Sequence, residues 1–174
     1  DTGGASVELI AMRDGKNTAD VSLPFGAVSL SERFKLANNV NPLDIENACQ
    51  NIFKQYQTLS WLSEQRGLPV VLLGGANRSL ARMGRTAIGK VAVNNFHGFN
   101  MTIDRVSTIF DKISHMTRAQ RENVAGLEIA RADIIISGLL PLLTLMRIID
   151  APEVIFSESG VREGLIAETI KNND

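Results

Sequence analysis

The first third of the chain alternates between apolar and polar positions in the way that strands do. Ser6 to Met12 is apolar with polar interruptions, and Thr18 to Leu23 alternates at nearly every residue, which is typical of half-buried strands. Asp14-Gly15 between them is a hairpin-turn signal. A third short strand is predicted at Ala27 to Leu30, so this region is expected to form a three-stranded antiparallel meander.

The middle of the chain changes to helical spacing. Asn41-Pro42 is a helix-start signal, and the apolar residues after it recur at intervals of three and four up to Leu62, which predicts one buried helical stripe that ends at Gly67. The apolar run Pro69 to Leu73 suits an interior strand. A short helix is predicted directly after it.

The second half of the chain predicts three helices, one strand and a last helix, at Thr102 to His115, Thr117 to Asn123, Ala130 to Ile149, Glu153 to Phe156 and Gly160 to Ile170. Threonine at the start of the first two is a favourable N-cap. Pro141 lies inside the long helix and is expected to kink or break it. The order of elements predicts one α/β domain over residues 1–174, with a mixed five-stranded sheet and helices on both faces.

Composition and charge exclude several classes of protein. Eighteen Lys and Arg against nineteen Asp and Glu give a net charge of −1, which argues against a nucleic-acid partner bound through bulk charge. Cys49 is the single cysteine, which excludes an internal disulfide and fits a reducing compartment. The most apolar run, Ile134 to Met146, is shorter than the roughly 20 residues of a membrane span. With no signal-peptide pattern, a cytoplasmic protein without a membrane partner is expected.

The first eight residues, Asp1 to Glu8, are the strongest candidate for chemistry. Gly3 and Gly4 allow backbone N–H groups to approach a phosphate closely, and the hydroxyl of Ser6 can bond a phosphate oxygen. The carboxylates of Asp1 and Glu8 suit a hard cation such as Mg²⁺. The alternative interpretation is a frayed terminus before a hairpin.

Three further segments can be interpreted in two ways. Gly74-Gly75 follows a strand and begins a helix, where free N–H groups favour phosphate, or it is a turn that needs glycine. Arg131 beside the long apolar helix could bind phosphate, or it forms a surface ion pair or helix cap. Ser157 to Gly164 is another strand–turn–helix join, for which capping alone is the alternative.

Taken together, these segments resemble the second half of the exopolyphosphatase and guanosine pentaphosphate phosphohydrolase family, which belongs to the superfamily of actin, heat-shock 70 chaperones and sugar kinases. The motifs that carry the resemblance occur in family order, at Asp1 to Glu8, Ser22 to Val28, Gly74 to Ala81, Arg131 to Asp133 with Gly138, and Ser157 to Gly164. They cover nearly the whole chain. Single motifs of this kind are weak, but five in order are specific.

The resemblance implies a ribonuclease H-like fold and a Mg²⁺-dependent hydrolysis of a terminal phosphoanhydride in inorganic polyphosphate or guanosine pentaphosphate. It implies that Asp1 and Glu8 hold the metal, and that a phosphate is bound by Gly3, Gly4, Ser6, Gly74, Gly75 and Arg131. It also implies that a first lobe, which carries the general base, is absent from this chain. The fragment alone is therefore expected to be nearly inactive, with a docking face that is compatible with self-association as a homodimer.

Two departures from the family pattern keep an alternative open. Ala5 replaces the third glycine of the first loop, which would strain the backbone if that position needs a positive φ. Val7 replaces threonine and removes a hydroxyl. Together with the absent first lobe, these changes support the alternative, a non-catalytic phosphate- or nucleotide-sensing homologue with the same fold, while the hydrolase remains the leading interpretation. A sugar or acetate kinase half is disfavoured, because the C-terminal motifs resemble the phosphatase branch.

Overall fold

A computed structural model describes residues 1–89 and 96–171 of the chain. Within these residues the chain forms β1 (Val7–Arg13), β2 (Lys16–Leu23), α1 (Ala27–Phe34), α2 (Pro42–Gln57), β3 (Val70–Leu72), α3 (Gly75–Thr86), β4 (Asn100–Thr102), α4 (Ile103–Ser114), α5 (Arg118–Arg121), α6 (Ile135–Ile148), β5 (Glu153–Phe156) and α7 (Val161–Lys171). Short 3₁₀ turns at Ser60–Gln65 and Ile129–Arg131 connect some of these elements. The predicted α/β class is confirmed.

The strands form two sheets within the described residues, so the predicted five-stranded sheet is wrong. β1 and β2 make an antiparallel hairpin, and β3, β5 and β4 make a separate three-stranded sheet. In the second sheet β3 runs parallel to β5, while β4 runs antiparallel to it. The first sheet has two strands because the third predicted strand does not form.

Residues 27–30 are the first turn of α1 rather than a strand. The backbone N–H groups of Ala27 and Val28 donate to the carbonyl oxygens of Gly3 and Gly4, each at 2.9 Å, and Gly26 N–H donates to Ser29 Oγ at 2.8 Å. These partners are those of a helix N-terminus, where the first N–H groups have no acceptor in the helix. A short apolar run has no periodicity that distinguishes helix from strand, and here the contact with the first loop decides the conformation.

Helix α2 confirms the predicted helix start and buries the predicted stripe. Asn41 caps the helix through a bond from Leu43 N–H to its side-chain oxygen at 2.9 Å. Ala48, Ile52 and Tyr56 are buried along one face. The helix ends at Gln57, earlier than predicted, and the next apolar residues of the stripe lie in the 3₁₀ turn that follows.

Helix α6 is the centre of the core, and α1, α2, α3 and α4 all contact it. It begins at Ile135 rather than Ala130, after the 3₁₀ turn Ile129–Arg131. Pro141 does not end it, because the helix is buried on every side and its neighbours hold it in place. One such contact is the bond from Tyr56 Oη to the carbonyl oxygen of Pro141, at 3.2 Å. Across the described residues, no helix combines the length and apolar character needed to cross a membrane.

Candidate phosphate-binding site

The first eight residues form a closed loop rather than a frayed end. The backbones of Asp1 and Glu8 exchange two hydrogen bonds, at 2.8 and 2.9 Å, and Gly3 N–H donates to the carbonyl oxygen of Ser6 at 2.9 Å. Thr2 and Val7 face each other between these bonds as an antiparallel bridge, and both are buried. The loop is therefore an ordered turn that leads into β1.

The backbone N–H groups of this loop point outward. Since the carbonyls of Gly3 and Gly4 face the start of α1, and since C=O and N–H point in opposite directions across a trans peptide, the N–H groups of Gly4 and Ala5 point away from α1. Among the described residues, no acceptor bonds the N–H groups of Gly4, Ala5 or Ser6. Consecutive free N–H groups in a turn form an anion-binding concavity.

The two departures from the family pattern leave this loop intact. Among the described residues, the non-glycine positions with positive φ are Asp14, Lys35 and Asp150, so Ala5 carries no left-handed strain. Val7 is 2% exposed and faces the core, on the side of β1 opposite to Glu8. Its missing hydroxyl therefore removes no group from the face that carries the carboxylates.

The two predicted metal ligands lie on one face of the loop. Asp1 and Glu8 are a directly opposed pair, and the side chains of such a pair project to the same side. Glu8 Oε1 accepts hydrogen bonds from Ser6 Oγ at 2.5 Å and Ser22 Oγ at 3.1 Å, which fixes the carboxylate. Ser6, predicted to bind phosphate, thus donates its hydroxyl to Glu8. Within the described part of the chain, no cluster of three or more His, Cys, Asp or Glu side chains is arranged to hold a metal.

The second glycine loop lies against the first. Gly74 follows β3 with φ of +92°, and a methyl group there would lie 2.4 Å from Asp1 Oδ1 and 2.9 Å from the carbonyl oxygen of Thr2. Helix α3 begins at Gly75, and no side chain caps it. The N–H groups of its first turn have no acceptor inside the helix. Only glycine at position 74 allows this approach of the two loops.

Arg131 is positioned beside the start of α3. Its guanidinium carbon and both terminal nitrogens lie 2.3 Å from where a Cβ at Gly75 would be. Its Nε donates to Glu128 Oε2 at 2.7 Å, and Glu128 Oε1 forms an ion pair with Arg82. The hydrogen bond from Arg131 lowers the pKa of Glu128, so this carboxylate is ionised at neutral pH. Glu128 therefore holds Arg131 through Nε and leaves its two terminal nitrogens beside Gly75.

The combined arrangement suits an anion. The N-terminal end of α3 carries a partial positive charge, and the guanidinium of Arg131 adds a full charge at the same position. Glu128 pairs with the Nε side of Arg131, so a phosphate at this position would bond the terminal nitrogens of Arg131 together with the N–H groups of the first turn of α3. Asp1 and Thr2 of the first loop lie against Gly74, next to this position.

Three small residues bring the helix starts together. A Cβ at Gly138 would lie 2.7 Å from the Cβ of Ala76 in α3 and 3.3 Å from the Cβ of Ala27 in α1. Ser137 Oγ reinforces the junction by donating to the carbonyl oxygen of Ala27 at 2.6 Å. Gly138 thus acts through packing, because it lets α6 approach the first turns of both helices.

The fourth segment, Ser157 to Gly164, lies near the end of β3, and most of its hydrogen bonds are within the segment. Ser157 N–H donates to the carbonyl oxygen of Leu72 at 3.1 Å, so the segment starts beside the end of β3. Ser157 Oγ then donates to the carbonyl oxygen of Ser159, and Gly160 N–H donates to Glu163 Oε2 at 2.7 Å. The capping interpretation accounts for these bonds. The side chain of Arg162 lies outside the described residues.

Sequence reasoning missed two parts of the site, Gly26 and Glu128. A Cβ at Gly26 would lie 2.6 Å from the carbonyl oxygen of Gly3, so glycine is needed for the first loop to cover α1. Its sequence signal is a glycine directly before an apolar run, which is a helix-start position. Glu128 precedes Arg131 by three residues, and that spacing by itself predicts only a surface pair.

Gly75→Ala tests the placement of Arg131. The added methyl group would overlap the end of the Arg131 side chain, which can move away, so the free energy of unfolding is expected to change by less than about 1 kcal/mol. Pyrophosphate affinity, measured by calorimetry, is expected to fall about tenfold because Arg131 leaves the start of α3. Gly164→Ala is the matched control, since its methyl group meets open space. Equal affinities in the two variants would contradict the placement.

The chain matches the model of the Ppx/GppA phosphatase family over residues 1–173. A Haemophilus influenzae protein that carries the name of a candidate exopolyphosphatase is 23% identical over 172 residues, which are 99% of this chain and 51% of that protein. The chain thus spans about half the length of this curated relative.

Solved structures show the same fold. An Aquifex aeolicus PPX-GPPA enzyme superposes with a TM-score of 0.83 at 23% identity, over 96% of this chain and 55% of that chain. An exopolyphosphatase from Cytophaga hutchinsonii superposes with a TM-score of 0.82 at 18% identity, over 98% of this chain and 55% of that chain. The family match over nearly the whole chain and the shared fold lead to one conclusion: this chain belongs to the Ppx/GppA phosphatase family.

Proposed function

We propose that this chain is the phosphate-binding half of an enzyme that hydrolyses terminal phosphoanhydride bonds of inorganic polyphosphate or guanosine pentaphosphate. The observation that carries the proposal is the contact of the first glycine loop with Gly74, directly beside an uncapped helix start and the guanidinium of Arg131 at Gly75. Family membership supports a phosphatase activity. The name of the curated relative supports polyphosphate as a substrate.

The chemistry of this reaction matches what the site offers. Phosphoryl transfer to water requires positioning of the phosphate and neutralisation of the charge on its oxygens, and little covalent help. The N–H groups of Gly4 and Ala5 would bond oxygens of the terminal phosphate from one side. Arg131 and the first turn of α3 would bond them from the other side. Donors held by two glycine loops need little rearrangement when the substrate binds.

Asp1 and Glu8 fit a magnesium ion. They present hard oxygen ligands on one face of the first loop, and Mg²⁺ in enzymes is usually held by one or two carboxylates together with water and substrate phosphates. The bonds from Ser6 and Ser22 use one oxygen of Glu8 and keep the other in a fixed direction. Bound magnesium would supply further neutralisation of phosphate charge at this face.

A sister lobe is the other part of the proposal. The chain spans about half the length of its relatives, and we propose that the remaining half supplies the general base that activates water. A single lobe leaves the phosphate open to solvent, whereas hydrolysis is fastest where preorganised dipoles replace water around the reacting group. The chain on its own is therefore expected to bind phosphate and to turn over very slowly.

A phosphate- or nucleotide-sensing homologue is the second candidate, because Ala5 and Val7 depart from the family loop. The hydrolase is favoured over it for two reasons. Ala5 lies outside the positive-φ region, and Val7 faces the core rather than the carboxylates. Neither substitution removes a group from the proposed phosphate-binding face.

The deciding experiment measures phosphate release from long-chain polyphosphate with Mg²⁺, using the complete gene product with its upstream lobe. Glu8→Gln is expected to reduce kcat by about 10²- to 10³-fold, comparable to the loss of one preorganised electrostatic group from an active site. Glu64→Gln is the control, since Glu64 is exposed in the 3₁₀ turn that follows α2.

Each outcome separates the candidates. Release that depends on Glu8 supports the hydrolase. Absence of release from polyphosphate, with release from guanosine pentaphosphate, selects the second substrate. Binding without turnover of either substrate supports the sensing homologue. The 174-residue chain is assayed in parallel, and rapid release by it would contradict the requirement for a sister lobe.

A further inference from the structure

Arg82, in the middle of α3, holds the segment that precedes Arg131. Its Nε donates to the carbonyl oxygen of Gly126 at 3.3 Å, and a terminal nitrogen donates to Glu128 Oε1. Gly126 lies directly against the same part of the helix, because a Cβ there would lie 2.6 Å from the backbone nitrogen of Met83. Helix α3 and the segment 126–131 are therefore joined at Arg82.

The carboxylate of Glu128 is divided between two arginines. Its Oε1 pairs with Arg82, and its Oε2 accepts from Arg131 Nε at 2.7 Å. Among the described residues, Nε is the one nitrogen of Arg131 that bonds Glu128. The side chains of Arg82 and Glu128 are 31% and 47% exposed, and ion pairs this accessible to solvent contribute little to stability. Their main effect is on the geometry of Arg131.

Without Arg82, Glu128 would be free to bind Arg131 more completely. A carboxylate and a guanidinium pair most strongly as a fork, with two parallel N–H···O bonds. Since Arg131 Nε already bonds Oε2, a fork needs Oε1 to accept from a terminal nitrogen of Arg131. Arg82 occupies Oε1 instead. Arg131 thus keeps its terminal nitrogens beside Gly75, at the start of α3.

Arg82 is too far along α3 to share the phosphate with Arg131. It follows Gly75 by seven residues, which is about 10 Å along a helix. Its Nε and one terminal nitrogen are directed at Gly126 and Glu128. Any effect of Arg82 on phosphate is therefore transmitted through Glu128.

We propose that Arg82 is a positioning residue of the phosphate site: it occupies Oε1 of Glu128 and so prevents that carboxylate from forming a fork with Arg131. The terminal nitrogens of Arg131 then remain available to phosphate. Two guanidinium groups and one carboxylate also leave a net positive charge beside the start of α3. The inference rests on the proposed function, because it assumes that Arg131 binds phosphate.

The test measures pyrophosphate affinity of the 174-residue chain by calorimetry. Arg82→Gln is expected to weaken binding about tenfold, because Glu128 then forms a fork with Arg131. Arg82→Lys keeps one cation on Oε1 and is expected to bind within about threefold of the unmodified chain. Circular dichroism checks that each variant is folded. If Arg82→Gln does not fold, a tenfold loss in Arg82→Lys would still overturn the proposal.

Glu128→Gln separates this mechanism from a purely structural role of Arg82. In the unmodified chain it removes the partner that orients Arg131, so affinity is expected to fall about twofold to threefold. In the Arg82→Gln background it removes the carboxylate that competes with phosphate, so affinity is expected to rise about threefold or more. An effect of the same direction and size in both backgrounds would overturn the proposal, since the two changes would then act independently.

Two further variants complete the experiment. Arg66→Gln removes an exposed arginine that pairs with Asp150, at the opposite end of β3 from Gly74, and is expected to change affinity by less than about twofold. A tenfold loss in this control would overturn the proposal, because binding would then follow net charge.

Arg131→Gln distinguishes this inference from the proposed function. It is expected to weaken pyrophosphate binding at least as much as Arg82→Gln, and the double variant of Arg82 and Arg131 is expected to be no weaker than Arg131→Gln alone. A loss in Arg131→Gln without a loss in Arg82→Gln would overturn the role of Arg82 and leave the proposed function standing. No loss in Arg131→Gln would overturn the phosphate site itself.

Discussion

Replacing Arg121 with methionine is expected to lower the free energy of unfolding by about 3–5 kcal/mol, because four buried or partly buried carbonyl groups lose their donor. The side chain is 0% exposed, and it is the largest fully buried side chain of the described residues. Burial lowers the pKa of Arg121, and the group stays charged at neutral pH because the shift starts from an ordinary value far above it.

The guanidinium of Arg121 joins three segments of backbone. It donates to the carbonyl oxygens of Ala132 at 2.8 Å, Met116 at 3.0 Å and Asn38 at 3.0 Å, and also to that of Ala37. Methionine fills part of the volume and satisfies none of these acceptors. Each buried acceptor left without a donor costs about 1–3 kcal/mol, before any relaxation of the chain.

The same change is expected to weaken phosphate binding. Ala132 directly follows Arg131, and Ser31 Oγ bonds the next carbonyl, that of Asp133, at 3.1 Å. Loss of the Arg121 bond frees the segment that places Arg131 beside α3. Urea denaturation followed by circular dichroism measures the stability, and calorimetry with pyrophosphate measures the binding.

Arg118→Met is the matched control for Arg121→Met. Arg118 lies on the same short helix, is 47% exposed and pairs with Glu122 at 3.0 Å. Exposed pairs of this kind contribute little, so the expected loss is below about 0.5 kcal/mol. Similar small losses in both variants would contradict a structural role for the buried guanidinium.

Gly74→Ala is expected to lower the free energy of unfolding by about 2–5 kcal/mol, from two separable causes. A φ of +92° is unfavourable for alanine by about 1–2 kcal/mol. The methyl group would also overlap Asp1 Oδ1 and the carbonyl oxygen of Thr2, and such overpacking costs about 1–3 kcal/mol. The two loops would then have to separate.

Gly67→Ala is the control that measures the cost of the positive φ alone. Gly67 has φ of +76° and open space around the position of a Cβ, so its expected loss is the backbone part alone, about 1–2 kcal/mol. Pyrophosphate affinity is expected to fall in Gly74→Ala and to stay unchanged in Gly67→Ala. Equal losses of stability and equal affinities in the two variants would show that the contact between the loops has no energetic role.

Local chemistry determined much of this protein before any tertiary contact is considered. Asn41, Thr102 and Thr117 cap α2, α4 and α5 as predicted, because a cap depends on residues within one turn. The strand–glycine–helix order at Gly74-Gly75 is local in the same sense, since β3 ends and α3 begins there. The five motifs in order also identified the family.

Long-range packing decided the remaining features. Residues 27–30 are helical because carbonyls of Gly3 and Gly4, more than twenty positions earlier, accept their N–H groups, and no local periodicity contains that information. Helix α6 continues through Pro141 because four other helices surround it. In both cases contacts from distant parts of the chain override the local preference.

The candidate site shows the same division. The residue types were readable from the sequence: glycines that free backbone N–H groups, carboxylates that suit a cation, and an arginine that suits phosphate. The positions of these groups relative to one another could not be predicted from the sequence. They depend on the packing of Gly138 on Ala76 and Ala27. They also depend on the hydrogen bond by which Glu128 holds Arg131 beside Gly75. The sequence alone determined which groups are available, and the tertiary structure decided which of them meet, since packing between distant segments sets those distances.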